Sequence, residues 1–162
     1  MPDPMSDPTS GPIGEPTGGG GVGTAAPDVA AGDPALWPAT RLAAAIRRRE
    51  LGSEELLDHY LERIGRLNPA INAVVTLDEE RARAEARTAD RATVAGGPLP
   101  PLHGLPVTIK DALATAGLRS TGGATELAEH VPTVDAPVVA SLRRAGAIVF
   151  GKTNLPLSLI HI

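Results

Sequence analysis

The stretch "GAIVFGKT", residues 146–153, decides the fold. Gly146, Gly151, Lys152 and Thr153 fill the phosphate-loop template G-x-x-x-x-G-K-[ST]. Such a loop needs flexible backbone between its glycines, so that N–H groups can turn inward around an anion, and it runs strand, loop, helix. This stretch meets neither condition. Ala147 to Phe150 form an apolar run whose N–H groups belong in a strand ladder. The residues before it read as a helix begun by Asp135 and Pro137, with Val138, Val139, Leu142 and Ala145 facing inward. Gly146 is then the left-handed residue that ends the helix. Gly151 is a strand-end turn, and Lys152, Thr153 and Asn154 are read as part of that structural turn. Pro156 follows, with no helix to supply an N-terminus, so nucleotide binding is set aside.

Working back from this strand, "LPVTIK" (105–110) reads as another, with Pro106 at its first position. Val107 and Ile109 share one face, Thr108 and Lys110 the other. A polar, glycine-containing connection (111–124) joins it to the helix. Strand, helix and strand make a parallel βαβ unit, so both strands end on one edge of the sheet. Lys110 and residues 151–154 lie on that carboxyl edge, where open α/β sheets place their sites. Upstream, the pattern predicts a short helix over 40–50, then one capped by Ser53, with a stripe of Leu57, Tyr60, Leu61 and Ile64, closed by Pro69. "INAVVTL" (71–77) is a strand or an extended link, and 78–92 a helix with a narrow face of Ala82, Ala86 and Ala89. The expected fold class is α/β: N-terminal helices, then the start of a mixed, largely parallel sheet flanked by helices.

Composition narrows the chemistry. The 162 residues include no cysteine, which excludes disulfides, thiolate metal sites and a cysteine nucleophile. The net charge of −4 gives no reason to expect nucleic acid, and no apolar run approaches the ~20 residues that span a bilayer. Residues 1–32 hold four acidic residues, no Lys or Arg, 8 Gly and 6 Pro. Such a stretch buries too little apolar surface to offset its ordering entropy, so 1–35 is expected to be a disordered leader. Its G-x-G-x-x-G at Gly18, Gly20 and Gly23 lacks a strand before it and a helix after it, and is set aside as a dinucleotide site.

Two motifs in order, "PPLHGLPVTIKDALATAGLRSTGGA" (100–124) and "DAPVVASLRRAGAIVFGKTNLP" (135–156), resemble the amidase signature family. These are hydrolases of carboxylic amides that use a Ser–cis-Ser–Lys triad. The helical stretch from Thr40 to Leu77 is similar to the family's N-terminal helices. The resemblance covers about residues 36–156 and implies the N-terminal part of an amidase domain. It implies that Lys110 is the catalytic lysine. Lysine is a poor base at its free pKa of ~10.4 and becomes useful where burial penalises its charge.

The resemblance makes Ser120, Thr121, Gly122 and Gly123 border the site, with Thr121, Gly122 and Gly123 as candidate substrate-binding residues. Asp111 either orients the turn, pairs with a basic neighbour or is plainly solvated. His103 is read as a capping or packing residue, His59 as helix surface and Trp37 as a packing anchor; no His pair is spaced for a metal. No cofactor or metal is implied. The implied partner is a small-molecule amide, with no nucleic acid and no membrane, in the cytoplasm, with room for a homodimer.

The family's two serines lie downstream of this chain's last residue. Of Ser120, Ser141 and Ser158, none stands in a Gly-Ser-Ser-Gly-like context. The chain is therefore expected to be inactive by itself. The tail "LSLIHI" (157–162) matches nothing in the resemblance and is read as an artefact, of a truncated gene model or of a read running into foreign sequence. Two alternatives remain: the A-subunit of a tRNA-dependent glutamyl/aspartyl amidotransferase, and a non-catalytic remnant or binding module.

Overall fold

The computed structural model describes residues 32–155. The leader up to residue 31, the Gly18–Gly23 motif and the 157–162 tail lie outside the described residues. Residues 33–35, counted with the leader from sequence, belong to the body. Asp33 caps a turn at Pro34–Leu36, and its carboxylate meets His59 and Arg63.

Helix α1 spans Ala39–Arg47 and buries Leu42, Ala43, Ala45 and Ile46. It stops short of the predicted Glu50 because Arg49 turns left-handed, at φ 62°. Helix α2 spans Ser53–Ile71. Ser53 is its first helical residue rather than its cap, a correction with a tertiary cause. The Asp90 carboxylate, from another helix, accepts from the Ser53 and Glu54 N–H groups at 2.7 and 3.1 Å. Pro69 does not close α2 either. Beyond it, Asn68 exchanges two 2.8 Å bonds with the Val74 backbone, and this anchors the last turn until Asn72 ends it at φ 47°.

Strand β1 (Val74–Leu77) leads through the cap Asp78 into α3 (Glu79–Ala95). The predicted alanine face is buried: Ala82, Ala86 and Ala89 pack with Leu57, Ile148 and Phe150. Small side chains let α3 lie close to both α2 and the sheet. Strand β2 (Pro106–Lys110), helix α4 (Pro137–Arg144) and strand β3 (Ile148–Thr153) follow. The sheet order is β1-β3-β2, with β2 parallel and β1 antiparallel to the central β3. The mixed α/β architecture and its βαβ unit are as the sequence implied.

Within that unit, Val139 is buried against Ile109 and Val149, with Val107 and Leu142 beside them. Val138, expected inside, is 49% exposed. Only a narrow stripe of α4 reaches the sheet, and Val138 lies about 100° around the helix from Val139. Gly146 has φ 91°, as a helix-ending glycine should. A Cβ there would lie 2.7 Å from the Pro100 side chain and 2.9 Å from His103 Cα. Strand β3 runs three residues further than its apolar core suggests, so Gly151 is not a turn residue. It lies within the strand because β1 crosses close by: a Cβ would stand 2.8 Å from the Thr76 carbonyl oxygen.

Candidate active-site edge

Lys110 ends β2 opposite Thr153 on β3. The side chain is exposed, and Nζ donates to the carbonyl oxygen of Asn154 at 3.0 Å. The Asp111 N–H donates to the Thr153 carbonyl at 3.0 Å, which continues the ladder one step past the strand. Asp111 is buried, not a solvated turn residue. One carboxylate oxygen accepts from the Thr121 N–H at 3.1 Å and from the Thr121 hydroxyl at 2.5 Å. The Gly122 N–H reaches the Asp111 carbonyl at 3.3 Å, and the Gly123 N–H reaches Thr121 Oγ1 at 3.1 Å. Gly122 and Gly123 have φ of 60° and 78°, conformations in which a side chain would be strained. The fold thus gathers Lys110, Asp111 and Thr121–Gly123, ten residues apart in sequence, on the carboxyl edge of β2.

Lys152 is the feature that sequence reasoning missed. Read as part of a turn, it is a strand residue with 0% exposure. A register shift between Val149 and Gly151 breaks the strand alternation and pairs Lys152 with Ile109 of β2, and the 111–124 connection folds over it. Nζ donates to the Leu113 carbonyl at 2.5 Å, to Ser120 Oγ at 2.7 Å and to Thr115 Oγ1 at 2.9 Å. Burial pulls its pKa below the ordinary lysine value, while the charges of Asp111 and Asp135 pull the other way. Burying an ammonium costs several kcal/mol, and hydrogen bonds to a charged group return roughly 1.5–3 kcal/mol each. Three such bonds make the placement tolerable. No period-2 pattern could have found it, because the irregularity between Val149 and Gly151 interrupts the alternation before Lys152.

The remaining candidates take structural places. Ser120 is buried, and its hydroxyl donates to the Leu118 carbonyl at 3.0 Å. Ser141 donates to the Pro137 carbonyl within α4. His103 is buried with Nε2 2.9 Å from Thr93 Oγ1 and 3.1 Å from the Ala89 carbonyl, a packing role as expected. His59 is paired with Asp33 rather than free on a helix surface. Trp37 donates from its ring nitrogen to the Gly32 carbonyl at 3.0 Å and carries the Arg41 guanidinium over its ring. Among the described residues, no group of three or more His, Cys, Asp or Glu could hold a metal ion. None of their helices is long and apolar enough to cross a membrane.

Known proteins resemble this chain in sequence and fold. The family model for Amidase matches residues 55–162, a span that takes in the 157–162 tail. An acylamidase of Rhodococcus erythropolis is 41% identical over 120 residues, covering 74% of this chain and 25% of that protein. The A-subunit of the glutamyl-tRNA(Gln) amidotransferase of Prochlorococcus marinus (strain MIT 9303) is 44% identical over 106 residues, covering 65% of this chain and 22% of that one. The native peptide amidase of Stenotrophomonas maltophilia superposes with a TM-score of 0.69 at 38% identity, over 75% of this chain and 25% of that chain. The chain therefore spans about a quarter of the length of the relatives it matches. With the family model matching more than half of its residues and its fold shared with solved amidases, the chain belongs to the amidase signature family of C–N hydrolases.

Proposed function

We propose that the protein carrying this chain hydrolyses a carboxylic amide to an acid and ammonia or an amine. Lys110 serves as the base of a Ser–cis-Ser–Lys triad, and the further length that the relatives possess supplies both serines. The observation that carries this reading is the place of Lys110: an exposed amine at the carboxyl end of β2, beside the Asp111–Thr121 pair and two left-handed glycines. Lys110 takes the proton of the bridging serine, which takes that of the nucleophilic serine as it attacks the amide carbon. The C–N bond then breaks, and the proton held on Lys110 returns through the bridging serine to the leaving nitrogen. Water, deprotonated by the same relay, releases the acid from the acyl-enzyme. Backbone N–H groups of a glycine-rich turn hold the oxyanion. Thr121, Gly122 and Gly123 line the substrate side of the edge.

In this reading the substrate is a small-molecule amide. No metal, organic cofactor, nucleic acid or membrane takes part, and the setting is cytoplasmic. Lys110→Ala in the full-length protein should remove nearly all release of ammonia or amine. Turnover at the native rate would refute the assignment. The 162-residue chain alone should show no hydrolysis, because Ser120 and Ser141 are committed to backbone carbonyls.

The 44% identity to an amidotransferase A-subunit favours a second reading, in which the amide is glutamine and the ammonia passes to a partner protein. Glutamine hydrolysis that rises on adding the other subunits of a glutamyl-tRNA(Gln) amidotransferase would select it. Hydrolysis of aryl or acyl amides without them would select the stand-alone enzyme.

A further inference from the structure

Lys152 lies outside the proposed triad, is fully buried, and has three hydrogen-bond partners that all come from the 113–120 stretch. The protons at this cluster can be counted. The Ser120 hydroxyl has one proton, engaged with the Leu118 carbonyl at 3.0 Å. The Thr115 hydroxyl has one proton, engaged with the Leu113 carbonyl at 3.1 Å. The Leu113 carbonyl has none. All three partners of Nζ therefore accept, and Nζ must donate three times. An ammonium has three donors, whereas a neutral amine has two. Loss of the ammonium proton would force Ser120 or Thr115 to leave its backbone carbonyl and turn to Nζ.

The same stretch carries the candidate site. Thr121 follows Ser120 directly and holds the Asp111 carboxylate, whose other oxygen is buried without a hydrogen-bond partner. Asp111 and Asp135 are the carboxylates whose charges act on Lys152; the Asp135 carboxylate also accepts from the Ala116 N–H at 2.7 Å. Each bond from Nζ crosses from β3 to the connection and sets where Thr121–Gly123 lie relative to the end of β2.

We propose that Lys152 is a positioning residue for the carboxyl edge: its ammonium, through Leu113, Thr115 and Ser120, fixes the connection that carries Asp111 and Thr121–Gly123 beside Lys110. The importance of that edge rests on the proposed amidase reading, whereas the ordering itself can be measured without turnover.

The chain has no cysteine, so Lys152→Cys provides a unique thiol. Alkylation in denaturant with 2-bromoethylamine, then refolding, rebuilds an ammonium of nearly native length. Iodoacetamide places a neutral amide there instead. Hydrogen exchange is followed at the N–H groups of Leu118, Ser120 and Thr121, which bond Thr115, His130 and Asp111, and at β3 as a control. The aminoethylated protein should protect these amides as the native chain does. The neutral form should exchange them at least about tenfold faster, the factor expected for losing a hydrogen bond to a charged group, with β3 unchanged. Equal protection in the two alkylated forms overturns the proposal.

Should the neutral form lose its sheet as well, Ser120→Ala decides. It keeps the ammonium and removes one acceptor, so Ser120 and Thr121 should exchange several-fold faster while β3 does not. Native exchange in that variant overturns the proposal too. If the chain passes both tests yet the full-length protein hydrolyses no amide, the amidase reading alone is refuted.

Discussion

Gly104 marks where the chain enters β2, and its replacement by alanine tests how that strand is held. Its φ is +71°, and a Cβ built there would stand 2.1 Å from Ser53 Oγ, 3.2 Å from Ser53 Cβ and 3.4 Å from Ala89 Cβ. Two independent penalties follow. Holding a non-glycine residue left-handed costs roughly 1–2 kcal/mol. Forcing a methyl group against a buried Ser53 costs about 1–3 kcal/mol, as for other overpacked cores. Gly104→Ala should therefore destabilise the chain by about 2–5 kcal/mol, read as a lowered urea midpoint with an unchanged slope.

Ser53→Ala separates the two penalties. Ser53 Oγ is buried and has no hydrogen-bond partner, so its removal alone should be neutral or slightly stabilising. The double variant should recover the overpacking part, a coupling of about 1–3 kcal/mol, and retain the backbone part. A Gly104→Ala loss below about 0.5 kcal/mol would refute the close crossing of α2 and the β2 entry. A cycle with no coupling would refute the assignment of the clash to Ser53.

Asp90→Ala should cost about 1–2 kcal/mol, because α2 loses the carboxylate that caps its first two N–H groups; urea midpoints for the variant and the native chain check this. Lys110→Ala, by contrast, removes an exposed side chain and should leave stability within about 0.5 kcal/mol of native, so that loss of activity in the full-length variant cannot be ascribed to unfolding. Lys152 supplies a pH signature. Its folded pKa is depressed below its unfolded value of 10.5, chiefly by burial and against the fields of Asp111 and Asp135. Between the depressed value and 10.5 the unfolded chain binds more protons, so stability rises with pH across that window and is flat in this term below it. Measured against Lys152→Met, native stability should therefore climb as pH approaches 10.5, and a difference that falls with pH would contradict the depressed pKa, because it would mean that the fold holds the ammonium more tightly than the unfolded chain does.

Local pattern carried much of this fold. The apolar run at Ala147–Phe150, the glycine that ends α4 and the alanine stripe of α3 each follow from the chemistry of a few neighbouring residues. Their order alone yields the parallel βαβ unit, and that unit places Lys110 on the carboxyl edge. The same context dismissed the phosphate-loop match. Readings that rested on a single residue in its local frame fared less well. Ser53 has the composition of a cap, but the half-buried Asp90 took that role from a helix 37 residues away. Pro69 is a local stop signal that the Asn68–Val74 bonds override.

Lys152 shows the division most clearly. From sequence, a lysine after glycine and before threonine and asparagine has the look of an exposed turn. Only tertiary structure could bury it. Gly151 must stay in the strand because β1 passes too close for a side chain, and the 111–124 connection must fold back to supply three acceptors. Periodicity and backbone preference act over a few residues, and they determined the elements, their order and the edge on which chemistry can occur. Desolvation and hydrogen-bond satisfaction depend on groups that are distant in sequence, and they decided which of the two lysines is buried and which stands exposed at that edge.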